Sequence, residues 1–122
     1  MIYLAGPLFT EQQRAFNEHN AQILEHRGHK VWLPQRDNGL AKYEGNNCYN
    51  DIKAGDIEGL EQCDTVIATF WDGFIDEGTC YEVGYAEAKN KNVFILCDDH
   101  RPMRNEMFSH IPKGDSLEAL GF

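Results

Sequence analysis

The chain has 122 residues, with 20 acidic against 11 basic side chains and a formal net charge of -9. A chain of this length can bury one core but not two, so we predict a single domain over residues 1–122. The acidic excess argues against a nucleic acid or a membrane surface as partner, because both are bound through basic patches.

Targeting signals and metal-ligand patterns are missing from the sequence. No apolar run approaches the ~20 residues of a membrane span, and the first residues are too few and too uncharged for a signal peptide, so we expect a cytoplasmic protein. The four cysteines are spaced 15, 17 and 17 residues apart, at Cys48, Cys63, Cys80 and Cys97. Zinc sites need closer ligand spacing, so we expect no metal.

The first strand is predicted over residues 2–5 and ends at Gly6-Pro7, a tight turn whose amides can approach a ligand. The sequence has neither Gly-x-Gly-x-x-Gly nor a Walker motif, so we expect no dinucleotide or triphosphate cofactor. Thr10 then begins a helix that Gly28 stops.

Residues 30–33 are predicted to form the second strand, and the polar residues 35–45 a loop at the carboxyl edge of the sheet. A second helix is predicted over residues 46–62. Asp56 lies in this helix and is a candidate site residue if its side chain projects towards the loop after the third strand. Otherwise it is an ordinary acid on a helix surface.

The most informative stretch follows the third predicted strand, residues 65–70. Asp72 and Asp76 leave the carboxyl end of this strand, and Glu82 lies in the first turn of a helix predicted over residues 82–89. In open α/β sheets, ligands bind at the carboxyl ends of the strands. Three carboxylates there indicate acid/base or nucleophilic chemistry on a neutral substrate.

Each of these carboxylates also has an ordinary structural interpretation. Thr79-x-x-Glu82 has the capping-box pattern, and Asp72-Gly73 is a common turn pair. Glu82 alone therefore fits either a capping or a catalytic role. A cap needs one carboxylate rather than three, so the three together favour a site.

The fourth strand is predicted over residues 92–96, and residues 116–120 form a last helical turn. Strands that alternate with helices form parallel sheets covered by helices on both faces. We therefore predict an α/β fold of the flavodoxin-like, three-layer α/β/α type, with a parallel sheet of four to five strands.

Three segments resemble the nucleoside 2-deoxyribosyltransferase family, and together they span nearly the whole chain. They are Tyr3-Leu-Ala-Gly6-Pro7-Leu-Phe9-Thr10, Asp56-x-x-x-Leu60-x-x-x-Asp64 and Asp76-x-Gly-Thr-x-x-Glu82-x-Gly-Tyr85-Ala. The third segment, directly after a strand, is the most specific. The resemblance implies a flavodoxin-type subunit whose nucleophile is Glu82.

The resemblance also implies a mechanism that carboxylates can perform. Glu82 would attack C1′ of a 2′-deoxynucleoside, and a second base would then displace it, with water as the competing acceptor. Asp76 or Asp56 would protonate the departing base or bind its edge, and Tyr3 would orient the Glu82 carboxylate. We expect the substrates, deoxynucleosides and free nucleobases, to contact further residues, namely Gly6, Pro7, Phe9, Asp72 and Gly78.

Asn105-Glu-Met107 matches a segment that, in this family, a neighbouring subunit donates to contact the sugar 5′-hydroxyl. If the match holds, the active protein is a homo-oligomer. The alternative for Met107 is packing in the core.

Two other functions remain open at this stage. A deoxynucleoside 5′-monophosphate N-hydrolase would need a phosphate site, whereas residues 6–10 are apolar and uncharged, which leaves Arg101 and Arg104 as phosphate ligands. A non-catalytic nucleoside or nucleotide sensor would keep the pocket without needing an ionised Glu82.

Overall fold

Five parallel strands form one sheet in the computed structural model, which describes residues 1–39, 48–97 and 105–122. The strand order is β2-β1-β3-β4-β5, which confirms the predicted flavodoxin-like α/β fold. The strands are β1 (Ile2–Ala5), β2 (Val31–Trp32), β3 (Thr65–Phe70), β4 (Asn92–Cys97) and β5 (Lys113–Gly114). The order reverses between β1 and β3, where folds of this type bind ligands.

Three α-helices cover the sheet in the described residues, and they are α1 (Glu11–His26), α2 (Cys48–Gln62) and α3 (Glu77–Ala88). Alternate residues of a strand point to opposite faces, so β1 contributes to two cores. Ile2 and Leu4 pack with α1, whereas Tyr3 and Ala5 pack with α2 and α3. The helices therefore lie on both faces of the sheet, in three layers.

The start and end of α1 follow directly from the sequence. Thr10 is the N-cap, and its hydroxyl accepts from the Gln13 amide at 3.1 Å while the Gln13 side chain accepts from the Thr10 amide at 3.1 Å. This reciprocal pair is a capping box. Beyond the last turn, Gly28 has a φ of +91°, a conformation that glycine adopts without strain.

The segment after β2 differs from the predicted loop. Residues Pro34–Gly39 form a π-helical turn, in which the Asp37 carboxylate accepts from the Leu33 amide at 2.7 Å. The Asp37 side chain thus accepts a hydrogen bond from the Leu33 amide, which in a longer second strand would bond to a neighbouring strand. Residues 40–47, which include the rest of the predicted loop and the predicted start of α2, lie outside the described residues.

The helix α3 begins at Glu77, five residues before the predicted start, so the capping-box interpretation of Thr79 and Glu82 is wrong. Asp76 is the N-cap instead, because its side chain accepts from the Thr79 amide. With 3.6 residues per turn, Glu82 lies in the second turn rather than the first. Its carboxylate is therefore not used to cap the helix.

Candidate active site

A cleft of about 430 Å³ lies between α2 and α3. Residues at positions i, i+4 and i+8 of a helix share one face, which is how each helix contributes one wall. The lining residues are Ile52, Lys53, Asp56, Ile57, Leu60, Glu77, Gly78, Tyr81 and Glu82. The cleft thus combines apolar walls with a few carboxylates, as small-molecule sites do.

Glu82 and Tyr3 are brought together at this cleft. Tyr3 is fully buried, and its hydroxyl donates a hydrogen bond to the Glu82 carboxylate. The Tyr3 ring stacks on Trp32, with the ring centroids 5.2 Å apart and the planes at 7°. The contact between Tyr3 and Glu82 joins residues 79 positions apart, and it has the geometry that a Tyr3 role in orienting Glu82 requires.

Burial in the cleft raises the pKa of Glu82 to about 8. The hydrogen bond from Tyr3 opposes this change because it favours the ionised carboxylate, whereas the charges of Asp56 and Asp76 add to it. Perturbed carboxyl groups of this kind concentrate at functional sites. The physical cause here is desolvation first and like charges second.

Asp76 is held by Thr79 at the start of α3. One carboxylate oxygen accepts from the Thr79 amide at 3.0 Å and the other from the Thr79 hydroxyl at 2.6 Å. The side chain does not line the cleft, but its charge is close enough to raise the pKa of Glu82. Asp76 therefore combines a capping role with an electrostatic effect on the site.

Asp56 lines the cleft from α2, opposite the residues of α3. Its carboxylate accepts from the Asn38 side-chain amide at 3.0 Å, and the same amide nitrogen donates to the Ile52 carbonyl at 2.8 Å. Asn38 is only 4% exposed and was missed by the sequence analysis. The polar residues around it predicted a loop, which gave no reason to expect a buried amide.

Of the other predicted contact residues, only Gly78 lines the cleft. Gly6 packs against Thr69, and Phe9 is 72% exposed. Asp72, at a φ of 51°, lines a separate cavity of about 150 Å³. Gly6, Pro7, Phe9 and Asp72 thus do not line the cleft that contains Glu82.

Asn105 and Met107 of the predicted subunit-bridging segment do not line the cleft of their own chain. The Asn105 side chain accepts from the Met107 amide at 3.0 Å, and Met107 is 74% exposed. The next residue, Phe108, packs edge-on against Phe70 with the ring centroids 5.9 Å apart. The alternative that Met107 packs in the core is therefore wrong. Arg101 and Arg104 lie outside the described residues.

A sequence model of the family described as nucleoside 2-deoxyribosyltransferase matches residues 2–115. This chain belongs to that family. Family membership confirms the resemblance and makes the chain a glycosyltransferase that acts on N-glycosidic bonds, with small nucleosides and nucleobases as substrates. A search of curated proteins found no match.

Solved structures of other proteins have the same fold as this chain. A 2-deoxyribosyltransferase from Bacillus psychrosaccharolyticus has a TM-score of 0.83 at 24% identity, over 98% of this chain and 88% of that one. A 2-deoxyribosyltransferase from Leishmania mexicana has a TM-score of 0.75 at 24% identity, over 97% and 91%. A conserved protein from Enterococcus faecalis V583 has a TM-score of 0.71 at 27% identity, over 84% and 65%.

In the residues that the structure describes, no helix is both long and apolar enough to cross a membrane. Within the same residues, no group of three or more His, Cys, Asp or Glu side chains could hold a metal ion. Cys63 is buried, and burial raises the pKa of its thiol to about 11. This thiol therefore stays protonated near neutral pH and is a poor nucleophile.

Proposed function

We propose that this enzyme moves 2-deoxyribose between nucleobases through a covalent glycosyl intermediate on Glu82. The observation that carries the proposal is the position of Glu82, which lines an apolar cleft, does not cap its helix, and accepts a hydrogen bond from Tyr3. A carboxylate placed in this way can form a bond to an anomeric carbon.

In the first step, a Glu82 oxygen bonds to C1′ of the deoxynucleoside as the bond from C1′ to the base nitrogen breaks. The electron pair goes to the departing base, which takes a proton from a carboxyl group. We assign this proton, or the contact to the base edge, to Asp56, because Asp56 lines the cleft and Asp76 does not. Asp76 contributes negative charge, which stabilises the oxocarbenium-like transition state.

In the second step, the nitrogen of an incoming base attacks C1′ and displaces the Glu82 carboxylate, while its proton passes to the carboxylate that protonated the first base, which we assign to Asp56. Two inversions retain the configuration at C1′. When water attacks in place of a base, the product is free 2-deoxyribose, so we expect hydrolysis as a side reaction.

We also propose that the active enzyme is a homo-oligomer, in which Asn105 and Met107 complete the site of a neighbouring subunit. The exposure of Met107 and the absence of both residues from the lining of their own cleft support this arrangement. The exposed Met107 side chain is accessible to a neighbouring subunit.

The test is to incubate the protein with deoxyinosine or thymidine, with and without free adenine, and to separate the products by chromatography. We expect deoxyadenosine when adenine is present and slow release of 2-deoxyribose when it is absent. Deoxynucleoside 5′-monophosphates serve as a parallel substrate. If the protein cleaves the monophosphates but not the nucleosides, its function is hydrolysis of deoxynucleoside 5′-monophosphates rather than transfer.

The role of Glu82 is tested by Glu82→Ala, with Glu87→Gln as a matched control on the same helix. Glu87 pairs with His110 and does not line the cleft. We expect Glu82→Ala to lower turnover by about a thousand-fold or more while folding and base binding survive. A slowly released 2-fluoro sugar should add its mass to the peptide that contains Glu82. Near-normal turnover of Glu82→Ala would rule out this nucleophile.

A further inference from the structure

Trp32 is the direct neighbour of Tyr3 across the sheet. The two residues are paired in the parallel register of β1 and β2, so their side chains point to the same face. Their rings lie 5.2 Å apart and almost parallel. The indole therefore determines where the Tyr3 ring can lie on that side.

The same indole packs against the backbone of α2 at Gly59. A Cβ atom added at Gly59 would lie only 2.5 to 2.9 Å from Cε2, Cδ2 and Cε3 of Trp32. Carbon atoms do not approach this closely, so either the indole or the helix would have to move. Gly59 is thus required by the approach of the ring rather than by its own backbone conformation, which is helical.

These contacts form a continuous path to the candidate nucleophile. Gly59 of α2 lies against Trp32, Trp32 stacks on Tyr3, and the Tyr3 hydroxyl donates to Glu82. A tyrosine hydroxyl is fixed to its ring, so a small movement of the ring changes the distance to its acceptor. Neither Trp32 nor Gly59 lines the cleft.

We propose that Trp32 and Gly59 are positioning residues for the reaction, because the indole packed on α2 at Gly59 holds the Tyr3 hydroxyl against the Glu82 carboxylate. The proposal rests on the proposed function of Glu82 and adds two residues that do not line the cleft.

Titration of Glu82 can report the position of Tyr3. Among the described residues, the groups that act on the Glu82 carboxylate are Tyr3 from β1, Asp56 from α2 and Asp76 before α3. Of these, only Tyr3 lowers the pKa of Glu82. The cleft is also lined by Lys53, Glu77 and Tyr81. Substitution of Gly59 or Trp32 by an apolar residue adds no charge. A Tyr3→Phe background then separates an effect through Tyr3 from an effect through a movement of Asp56 on α2.

The first variant is Gly59→Ala, and the matched control is Gly84→Ala, a helical glycine at which a Cβ would meet nothing within 4 Å. For Gly59→Ala, we expect the midpoint of the kcat/KM profile to rise by about one pH unit, which lowers kcat/KM about ten-fold at pH 7. The plateau at high pH should stay close to that of the unchanged enzyme. Gly84→Ala should leave the midpoint where it is.

The same shift should appear without any substrate. Carbon-13 NMR of the labelled glutamate carboxyl groups follows the titration of Glu82 directly, with Glu82→Gln used to assign the signal. Gly59→Ala should move this titration to higher pH and Gly84→Ala should not. If the wild-type protein is inactive but Gly59→Ala still shifts the titration of Glu82, the proposed function is rejected. The positioning of Tyr3 by Trp32 and Gly59 is then retained.

A double-mutant comparison tests the path itself. Tyr3→Phe removes the hydroxyl, so adding Gly59→Ala to it should cause no further shift of the midpoint. Trp32→Leu, which removes the stacked ring and leaves Gly59 room, should shift the midpoint in the same direction as Gly59→Ala. Equal titration of Glu82 in wild type, Gly59→Ala and Trp32→Leu would overturn the proposal, as would a loss of activity at every pH without a shift.

Discussion

At the scale of single residues, the proposed reaction depends on the charge of one carboxylate. Attack on an anomeric carbon needs Glu82 in its ionised form, yet burial and two neighbouring acids favour the protonated form. The hydrogen bond from Tyr3 is the contact that favours ionisation. The balance between the two effects places the titration of Glu82 close to physiological pH.

This balance predicts the pH dependence of transfer. Because the pKa of Glu82 is about 8, the ionised fraction rises through that pH. We expect kcat/KM to increase from pH 6 through pH 8, where half of Glu82 is ionised, and to level off about one pH unit higher. The substrate concentration must be kept below saturation in the measurement. A profile that is flat or falls across this range would contradict the assignment.

The same group predicts a dependence of stability on pH. The pKa of Glu82 is raised in the folded state from an unfolded value near 4.5 to about 8, so the folded state holds a proton that the unfolded state releases. The contribution of Glu82 to the free energy of unfolding must then fall as the pH rises from 4.5 to 8, by about 1.4 kcal/mol per pH unit at most.

Glu82→Gln removes this titration. The free energy of unfolding of Glu82→Gln, minus that of the wild type, should therefore increase as the pH rises from 4.5 to 8. Urea unfolding of both proteins at several pH values between 5 and 9 measures the difference, which cancels the contributions of the other groups. Parallel curves would show that Glu82 titrates at an ordinary pH in the folded protein.

At the scale of elements, the start of α3 links the cap and the site through Asp76. Its two oxygens accept from the amide and the hydroxyl of Thr79. Asp76→Ala should lower the free energy of unfolding by about 1 kcal/mol, since an N-cap side chain is lost. Asp76→Asn keeps a capping oxygen and should retain most of this stability.

If Asp76 also acts in the site, Asp76→Asn should lower kcat/KM clearly although the helix remains capped. Unfolding in urea and transfer kinetics on the same samples separate the two roles. Full activity of Asp76→Asn would restrict Asp76 to capping.

Two helical glycines predict opposite effects on stability. Nothing lies within 4 Å of a Cβ at Gly84, so Gly84→Ala should stabilise the protein by about 0.5–1 kcal/mol through the higher helix propensity of alanine. A Cβ at Gly55 would collide with the Asn38 carboxamide, which binds Asp56. Gly55→Ala should therefore be destabilising. The midpoints of urea unfolding measure both effects, provided that the dependence of the unfolding free energy on urea concentration is unchanged. A stabilising effect of both substitutions would contradict the packing of Gly55 against Asn38.

At the scale of the whole molecule, the proposed oligomer shares its sites between subunits. Glu82→Ala and Asn105→Ala should each be nearly inactive alone if Asn105 acts in the site of its neighbour. When the two variants are mixed as dimers and allowed to exchange, about a quarter of all sites regain both residues. Recovery of transfer after mixing measures this arrangement. No recovery, with subunit exchange shown by mass spectrometry, would place both residues in one chain or remove Asn105 from the site.

Local patterns were sufficient for much of this protein. The bounds of β1 and β3 were predicted correctly, and Thr10 begins α1 as predicted, because strand composition and capping depend on residues close in sequence. The motif around Glu82 was likewise enough to indicate the family, which the match over residues 2–115 confirms. The two-residue strand β5 was not located, because a strand that short has no periodicity.

Contacts between distant parts of the chain were decided only by the tertiary structure. Asp72, Asp76 and Glu82 are close in sequence and predicted one cluster. In the structure, Asp76 caps α3, Asp72 lines another cavity, and Asp56 of α2 lines the cleft. The π-helical turn that buries Asn38 and the stack of Trp32 on Tyr3 depend on residues far apart in sequence. The sequence alone therefore determined the elements and the family, whereas the environment that sets the pKa of Glu82 arises only when β1, α2 and α3 pack together.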